Sequence, residues 1–377
     1  MIMKIKVLIF LLLATVASSN AQYTLVPDPN FEDFLEANGM GDGVSGNGQV
    51  LTANIENVTV LDLDSQIGVT DLAGIEDFTA LEWLDFSSNL VVNVDLSQNT
   101  FLKTLGCIDN GLISLNLSNN TQLEWLSCQG NQLVNLQLNS QYLEVIECFE
   151  NYLSVLDVSA ASALTELYCS ENQLMDLDVS QNNNLILLNA WSNEFTSIDV
   201  SNNEALIYFS CSYSNISSID ISNNYNLRTF YASNILPLNN LDMRNGNNAN
   251  INSVNVFGTD SLNCIFVDDA TATYLDDWYK DPFTTFVNNE AECDALGTQE
   301  FVDTAFKIYP NPANTYFNIS SKIEGVFSLF SIKGGIINSG SLNAGLSRIS
   351  VEGLSSGLYF LQVSTVNGNT TQKIVVE

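Results

Sequence analysis

Leucine recurs at a nearly constant interval through the middle of this chain. Successive units are 21 residues apart, except once where the interval is 20. Each unit reads L-x-x-L-x-C-x-x-N-x-L-x-x-L-D-V-S-x-N and is followed by two variable residues. Self-similarity at a fixed period of this length indicates stacked units, none of which can bury its apolar side alone. The units begin at Leu81, Leu102, Leu123, Leu143, Leu164, Leu185, Leu206 and Leu227.

Apolar and polar residues alternate in both halves of the unit. Leu167 and Cys169 alternate with polar or aromatic residues, and so do Leu177 and Val179 with polar ones. This period of two predicts one short strand from each half. An asparagine follows each strand by three residues, and because its side chain can bond to backbone groups of a turn, stacking predicts two asparagine ladders. The first ladder runs Asn89, Asn110, Asn131, Asn151, Asn172 and Asn193; the second includes Asn99, Asn120, Asn182, Asn203 and Asn224.

The motif L-x-x-L-x-[LC]-x-x-N-x-L resembles the leucine-rich repeat. It recurs from residue 81 to about residue 234, and weaker copies precede and follow this segment. We therefore expect repeats over residues 58–267. The resemblance implies a curved solenoid with a parallel β-sheet, little helix and a concave face that binds ligands.

A solenoid exposes apolar ends and needs a cap at each of them. We expect an N-terminal cap at residues 22–57, where Asp28 and Pro29 can start a short helix. We expect a C-terminal cap at residues 268–293, which are rich in aromatic residues, and then a linker at residues 294–302.

The composition changes after this linker. Between Leu81 and Asn226 there are 17 acidic residues and one basic residue, whereas residues 303–377 contain four acidic and five basic residues. Short alternating apolar runs are separated by turn signals such as Lys333-Gly334-Gly335. This pattern predicts a small antiparallel β-sandwich of immunoglobulin-like type.

Three motifs of this last segment, in order and at the C-terminus, resemble the C-terminal sorting domain of type IX secretion, the Por secretion system of certain Gram-negative bacteria. The resemblance implies contact with that secretion machinery, passage through the periplasm and translocation across the outer membrane. It also implies removal of the domain, with attachment to the cell surface or release. The motifs are Tyr309-Pro310-Asn311-Pro312, Leu354-Ser355-Ser356-Gly357-Leu358-Tyr359 and Lys373-Ile374-Val375-Val376.

The first residues predict an export signal. Lys4 and Lys6 precede a short apolar run, and small residues near Ala21 fit a cleavage site, so we expect a signal peptide at residues 1–21. No stretch of the mature chain approaches the roughly 20 apolar residues that a membrane helix needs. We therefore expect a secreted or extracellular protein, with anchoring at the outer-membrane surface as one outcome of sorting.

Charge and residue usage exclude several classes of function. With 43 acidic and 11 basic residues the surface repels nucleic acid and anionic lipid, so we expect neither as a partner. The chain contains no histidine, which removes the commonest general base and the commonest zinc ligand. Close carboxylate pairs lie in repeating columns, and catalytic sites do not usually repeat. We expect no enzymatic activity and no cofactor.

The seven cysteines fall into two groups. Five of them share one column of the repeat with Phe86, Ala190 and Ala232, and this interchange indicates an apolar slot that holds free, buried thiols. A single-file column also cannot offer a metal ion tetrahedral geometry. Cys264 and Cys293 break the period, and we expect a disulfide between them, with two unpaired thiols as the alternative. The column consists of Cys107, Cys128, Cys148, Cys169 and Cys211.

A column of aspartates points outward from the second half of the unit. Stacked like charges repel each other, so either water and neighbouring serines screen them or a cation such as Ca²⁺ binds. We favour solvated carboxylates, because no EF-hand-type calcium loop is present, and we expect no metal site. The column consists of Asp95, Asp157, Asp178, Asp199 and Asp220.

Aromatic and acidic residues share the outward positions of the first strand, on the expected concave face. A row of exposed aromatic rings is unusual unless the rings meet a ligand, although such rings can also cover one another. We predict recognition or adhesion through this face, with an extracellular protein or a glycan as ligand. The alternatives are a non-catalytic polysaccharide-binding accessory protein and a structural surface component. The predicted site consists of Trp83, Asp85, Trp125, Glu147, Phe149, Glu166, Tyr168, Trp191, Tyr208 and Tyr231.

Overall fold

The computed structural model describes residues 22–63, 68–297, 306–365 and 368–377. The chain divides after Cys293 into two compact units, which correspond to the solenoid and the C-terminal domain. The expected signal peptide lies outside the described residues. The domain boundaries given above remain predictions.

A small antiparallel sheet and a helix cover the N-terminal end of the solenoid. Asp28 caps the helix, because its Oδ1 accepts hydrogen bonds from the backbone N–H groups of Asn30 and Phe31 at 2.9 and 3.0 Å. The buried ring of Phe31 stacks on Phe78 of the first turns, with ring centroids 6.3 Å apart. The elements are β1 (Tyr23–Leu25), α1 (Pro29–Ala37), β2 (Gln49–Leu51) and α2 (Thr52–Ile55).

The solenoid is built from three-residue strands. Three short 3₁₀ helices interrupt them, at Ile75–Asp77, Asn248–Asn250 and Thr273–Asp277. In chain order the strands are β3 (Val60–Asp62), β4 (Trp83–Asp85), β5 (Thr104–Gly106), β6 (Ser114–Asn116), β7 (Trp125–Ser127), β8 (Asn135–Gln137), β9 (Val145–Glu147), β10 (Glu166–Tyr168), β11 (Leu187–Asn189), β12 (Tyr208–Ser210), β13 (Ser218–Asp220), β14 (Thr229–Tyr231), β15 (Asn240–Asp242), β16 (Ser253–Asn255), β17 (Cys264–Phe266) and β18 (Thr285–Val287).

The first halves of the units form one parallel sheet of ten strands, in the order β3-β4-β5-β7-β9-β10-β11-β12-β14-β16. Each strand pairs with the equivalent residues of the next unit, as Leu167 pairs with Leu188. The middle residue of each strand points into one continuous core that runs through the solenoid. The parallel β-solenoid with little helix that the repeats predict is therefore confirmed.

The second halves of the units form strands in only some turns. β6 pairs with β8, and β13, β15, β17 and β18 form a four-stranded parallel sheet. The strand expected around Leu177 is absent, since this segment has no strand pairing in the described chain. Just before this segment, single backbone hydrogen bonds join neighbouring turns, such as the one from Gln173 N–H to Leu153 O at 2.9 Å.

The first asparagine ladder is confirmed, and its side chains are saturated with hydrogen bonds. The Asn172 Nδ2 group donates to the carbonyl oxygens of Cys169 and Ser170 in its own turn and of Cys148 in the preceding turn. Its Oδ1 accepts from the N–H of Leu153 at 2.9 Å. Each such asparagine replaces backbone pairing that the bend would otherwise lose.

The second ladder is confirmed as well, but its asparagines only donate. The Asn203 Nδ2 group donates to the carbonyl oxygens of Val179 and Asn182, at 3.0 and 2.9 Å. The Oδ1 atoms of this ladder are buried without a partner among the described residues. The two ladders therefore contribute differently to stability, because an unpaired buried acceptor costs free energy.

The residue before each asparagine of the first ladder adopts a left-handed backbone conformation. Most of these residues are not glycine, and for an L-residue this region costs roughly 1–2 kcal/mol. The neighbouring asparagine holds the turn in this shape through its three carbonyl contacts. The non-glycine residues before a ladder asparagine, with φ between 50° and 58°, are Ser88, Asp109, Glu150, Glu171 and Ser192. Tyr213 and Asn234 adopt the same conformation at the equivalent position, where Ser214 and Ile235 follow instead of asparagine.

The C-terminal cap extends the smaller sheet and closes the end of the core. β18 pairs with β17, and Trp278 is buried with its ring 5.8 Å from that of Phe286. Helix α3 (Glu290–Gly297) follows and runs into the segment expected to be a linker. The Glu292 carboxylate accepts hydrogen bonds from Asn288 and Asn289 beside the first turn of this helix. The rest of that expected linker lies outside the described residues.

The C-terminal domain consists of two antiparallel sheets that share one core. One sheet has the order β19-β20-β23 and the other the order β22-β21-β24-β25. Buried residues from both sheets, such as Phe317 and Leu361, pack together, which confirms the small β domain expected here. The strands are β19 (Phe306–Tyr309), β20 (Tyr316–Ser321), β21 (Gly325–Ser331), β22 (Ile336–Leu342), β23 (Gly345–Ser350), β24 (Gly357–Thr365) and β25 (Gly368–Val376).

Candidate ligand-binding face

The outward face of the ten-stranded sheet consists of three rows of side chains. The middle residue of each strand points into the core, so the first and third residues point outward, and so does the second residue after the strand. Strand pairing places equivalent positions side by side, as Trp83, Thr104 and Trp125 are in the first row. We call this surface the sheet face.

All ten residues predicted as the ligand site lie on the sheet face. Eight of them belong to strands β4, β7, β9, β10, β12 and β14, and Phe149 and Trp191 each follow a strand at the outward position. Trp125 is 43% exposed, and the other nine are half-buried. The structure brings these residues onto one surface; ligand binding by that surface stays a prediction.

A chain of hydrogen bonds connects Trp125 to Glu147. The Trp125 indole N–H donates to the hydroxyl oxygen of Ser127 at 2.9 Å, and this hydroxyl donates to Glu147 Oε2 at 2.5 Å. Ser127 and Glu147 are direct neighbours in the sheet register. The indole therefore has a fixed orientation, with an ionisable carboxylate one strand away.

A second aromatic–carboxylate pair lies on the next strand. The Tyr168 hydroxyl donates to Glu166 Oε2 at 2.9 Å, and Tyr168 is the register neighbour of Glu147. Partial burial raises the pKa of Tyr168 to about 12, and the hydrogen bond to Glu166 and the negative charges of Glu166 and Glu147 act in the same direction. This phenol stays protonated and acts as a donor at physiological pH.

Farther along the sheet face the rings contact one another. Tyr208 and Tyr231 meet edge to face with centroids 5.9 Å apart, and the Tyr231 hydroxyl lies 3.1 Å from the Ser253 hydroxyl. Trp191 meets the ring of Tyr213 in the same manner at 6.4 Å. Mutual covering of rings thus accounts for this part of the face. Among the described residues, Trp83, Trp125 and Tyr168 make no ring–ring contact.

Sequence reasoning missed two acidic columns at the edges of the sheet face. One column directly follows the leucine that opens each unit, and the other precedes the ladder asparagine in the left-handed position. Both have a fixed position in the repeat, so the signal was present in the alignment of units. The first column contains Glu82, Glu124 and Glu144, and the second contains Asp109, Glu150 and Glu171.

Two amide groups on the sheet face were missed as well. The Oε1 atom of Gln129 and the Oδ1 atom of Asn189 are buried and have no hydrogen-bond partner among the described residues. Both residues occupy outward positions, Gln129 in the third row and Asn189 in the second. Nothing in the repeat pattern distinguishes them, because the burial of a single atom depends on its particular neighbours.

The five cysteines of the core column are free and fully buried, as predicted. Burial raises the pKa of Cys148 to about 12 and raises the pKa of the other four thiols as well. A thiolate is the reactive form of cysteine, so these protonated thiols are unreactive and fill the core as small apolar groups.

The predicted disulfide is confirmed. Cys264 and Cys293 are bonded, with their Cα atoms 6.0 Å apart. The bond joins the first residue of β17 to helix α3, and the two sulfurs pack with Phe266 and Val287 in a small cluster of their own. The pair therefore fixes the C-terminal cap against the last strands of the solenoid.

The aspartate column of the second half-unit is tied to its own turn. Asp178 Oδ1 accepts the backbone N–H of Ser180 at 2.9 Å, and the equivalent aspartates bond the serine two residues on in the same way. Hydrogen bonds from the Ser180 side chain and then from its backbone N–H lower the pKa of Asp178. Within the described ranges, no group of three or more acidic or cysteine side chains could hold a metal ion.

The first and last of the three sequence motifs of the C-terminal domain meet in its structure. Asn311 of the Y-P-N-P motif donates from Nδ2 to Lys373 O at 2.7 Å and accepts the N–H of Val375 at 2.8 Å. The Tyr359 hydroxyl donates to Ser355 O at 2.9 Å within the L-S-S-G-L-Y motif. These side chains serve the fold of the domain, and they join its first and last strands.

Residues 307–377 match the family model of the secretion system C-terminal sorting domain. A search of curated proteins found no match. No helix in the described part of the chain is long and apolar enough to cross a membrane. The match bears out the predicted export by this route to the extracellular space or the cell surface.

The chain is also similar to solved structures of bacterial repeat proteins. The functional domain of InlJ from Listeria monocytogenes, described as including a cysteine ladder, is 19% identical, with 95% of this chain and 99% of that chain covered and a TM-score of 0.39. A leucine-rich-repeat protein of Leptospira interrogans is 20% identical over 62% of this chain and 67% of that chain, with a TM-score of 0.45. By the family match, residues 307–377 are a secretion-system C-terminal sorting domain, and they follow a parallel β-solenoid.

Proposed function

We propose that this protein is a non-catalytic recognition protein of the cell exterior that binds an extracellular protein or glycan through the sheet face. The observation that carries the proposal is the alignment of aromatic and acidic side chains on one continuous sheet, with Trp125 43% exposed. Aromatic side chains supply large contact areas and are enriched where proteins bind each other. The hydrogen bond from Trp125 to Ser127 holds the indole in place before a ligand arrives, which reduces the entropy lost on binding.

Absence of histidine from the whole sequence supports a role without catalysis. Repetition supports it too, since an enzyme needs one unique arrangement of groups, whereas a binding surface gains from similar groups on successive strands. Because the exposed rings lie on successive turns of the solenoid, a large, extended ligand can contact several of them at once.

Loss of Trp125 and Trp191 tests the sheet face directly. In the W125A/W191A double variant we expect the affinity for the ligand to fall at least about tenfold, because two large contact areas are removed. Protein and glycan arrays identify the ligand, and titration of the pure ligand measures the loss. The midpoint of urea unfolding should change little, since both rings lie outside the core.

The matched control removes two exposed rings away from the sheet face. Phe101 and Tyr142 are 60% and 46% exposed and lie in turns that follow the second half of a unit. The F101A/Y142A variant should bind as the unchanged protein does. Equal binding by W125A/W191A and the unchanged protein would discard the sheet face as the site.

The sorting domain is removed during export in this proposal, and the solenoid stays at the surface or is released. We expect the mature protein to lack about 75 residues at its C-terminus, which is the length of residues 303–377. Fractionation of the producing cells, followed by intact mass measurement, checks this. A protein recovered from the periplasm with an intact C-terminus contradicts it.

A further inference from the structure

The charge of the sheet face is concentrated in one part of it. In and beside strands β4, β5, β7, β9 and β10, the outward rows and edge columns carry nine carboxylates and one basic residue, Lys103. Lys103 Nζ lies 2.7 Å from Glu82 Oε2, so this cation is already paired. We call this part the acidic half. Its carboxylates are Glu82, Asp85, Asp109, Glu124, Glu144, Glu147, Glu150, Glu166 and Glu171.

The remainder of the sheet face has a different character. The same rows and columns in and beside strands β11, β12, β14 and β16 contain no carboxylate, and Arg228 is their one charged residue. The rings that cover one another, Tyr208 on Tyr231 and Trp191 on Tyr213, lie in this neutral part. The rings of Trp125 and Tyr168, which have no ring partner among the described residues, lie in the acidic half.

Four side chains form the centre of the acidic half. Glu147 and Tyr168 are register neighbours, Glu166 lies on the same strand as Tyr168, and Trp125 is joined to Glu147 through a serine hydroxyl. Both internal hydrogen bonds to the carboxylates end on Oε2. The Oε1 atoms of Glu147 and Glu166 are not engaged by any described residue, so each can accept a hydrogen bond from a ligand.

This arrangement suits the side chain of arginine or lysine. Carboxylates provide charge-assisted hydrogen bonds, and the faces of tryptophan and tyrosine attract a cation or a planar guanidinium group. No described residue neutralises the acidic half apart from Lys103, so like charges repel one another across it. A cationic ligand relieves this repulsion, a neutral glycan leaves it unchanged and an anionic polymer increases it.

We infer that the partner of the acidic half is a positively charged, extended segment of another protein, whose arginine or lysine side chains enter between Trp125, Glu147, Glu166 and Tyr168. This inference rests on the proposed function and names the ligand chemistry of the same face. The five strands of the acidic half span about 19 Å at the usual strand spacing, a distance covered by about six residues of extended chain. Alternate side chains of such a segment point toward the sheet.

Synthetic probes test the chemistry without knowledge of the natural partner. We use a peptide of about eight residues that alternates arginine with serine, its glutamate counterpart, and a neutral cello-oligosaccharide of about six sugar units. Isothermal titration with the full chain should show binding of the arginine peptide alone. That binding should weaken as ionic strength rises from about 0.05 to about 0.5 M, because salt screens charge interactions.

The decisive variant is E147Q/E166Q, with D178N/D199N as its control. Both double variants remove two negative charges, and each replacement keeps an oxygen that accepts the internal hydrogen bond. Asp178 and Asp199 lie in the second halves of their units, away from the sheet face. E147Q/E166Q should lower the affinity for the arginine peptide about tenfold or more, whereas D178N/D199N should change that affinity less than about twofold.

Equal weakening by both double variants would overturn the inference, because the peptide would then respond only to the net charge of −32. Failure of the arginine peptide to bind would overturn it too, and so would preferred binding of the oligosaccharide. If the oligosaccharide binds and W125A/W191A abolishes that binding, the proposed function stands while the cationic partner is wrong. If the natural ligand binds W125A/W191A normally, the proposed function fails.

Discussion

Replacement of Asn151 by alanine is expected to lower the free energy of unfolding by about 4 kcal/mol. The Asn151 Nδ2 group donates to the carbonyl oxygens of Cys128, Cys148 and Phe149 at 3.0 to 3.2 Å, and its Oδ1 accepts the N–H of Leu133 at 2.9 Å. The side chain is buried, so water cannot replace these bonds. Alanine leaves the buried N–H of Leu133 without an acceptor, which costs roughly 1–3 kcal/mol, and it removes three further hydrogen bonds of about 1 kcal/mol each. The three carbonyl oxygens themselves keep a second donor, such as Asn172 Nδ2 for Cys148 O.

Urea unfolding followed by tryptophan fluorescence measures this loss. All four tryptophans lie between residues 83 and 278, so the signal reports on the solenoid and not on the sorting domain. Asn184 is the matched control, since it is exposed and donates one bond of 3.3 Å, and N184A should cost less than about 0.5 kcal/mol. Similar losses in N151A and N184A would mean that the ladder adds nothing beyond ordinary surface contacts.

The second ladder offers an internal comparison. Asn182 donates to Val158 O and Ala161 O, but its buried Oδ1 has no partner among the described residues. Removal of Asn182 therefore breaks two hydrogen bonds and also eliminates an acceptor that is already unpaired, while both carbonyl oxygens keep a backbone N–H donor. The loss of unfolding free energy in N182A should therefore be larger than in N184A and smaller than in N151A. That order would show that the loss depends on the number of satisfied hydrogen bonds and not on burial alone.

Loss of the Cys264–Cys293 disulfide is expected to cost about 3 to 4 kcal/mol. The bond closes a loop with a sequence separation of 29 residues, and the chain-entropy relation for a loop of this length gives a value in this range. The cost should be concentrated at the C-terminal cap, because β17, β18 and α3 meet there. Arg244 also reaches the cap, through Glu290 at 3.0 Å, so some attachment persists.

The C264S/C293S variant tests this prediction by urea unfolding and by hydrogen exchange of the cap. Thiol counting supplies the control on the unchanged protein. Denatured without reductant it should show five reactive thiols, and after reduction it should show all seven. An unfolding free energy that stays within about 1 kcal/mol of the unchanged protein would mean that the cap is held by packing and by Arg244, not by the disulfide.

Much of the solenoid and of its sheet face follows from the repeat. Equivalent residues of successive units must stack, so the alignment of units alone places Trp83, Trp125 and Tyr208 in one outward row. Interchange with Phe86, Ala190 and Ala232 identified the cysteine column as an apolar slot, and all of these side chains are fully buried. The change in charge after the last repeats also indicated a separate C-terminal domain, and its three motifs identified the resemblance to a sorting domain.

The acidic columns at the edges of the sheet face were not predicted from the repeat. Glu150 and Glu171 occupy a fixed repeat position, but acidic residues, serine, tyrosine and glycine alternate there, so the acidic residues do not stand out in the alignment of units. Their common feature is a left-handed backbone conformation, with φ of 52° and 51°, which the neighbouring asparagine stabilises. Side-chain type alone does not report that backbone state in these residues.

Periodicity in the sequence by itself determined the stacking, the inward and outward positions and the two ladders, since identical units in contact allow only one register. The export route followed from the C-terminal motifs and their resemblance to a sorting domain. Tertiary structure decided the features that the repeat period does not specify. It decided which second half-units form strands, that the first ladder is satisfied while the second is not, and that Glu147 accepts the Ser127 hydroxyl on one oxygen and keeps the other available. The physical reason is that stacking constrains backbone positions, whereas each hydrogen bond and each charge depends on the particular side chains that the neighbouring turns supply.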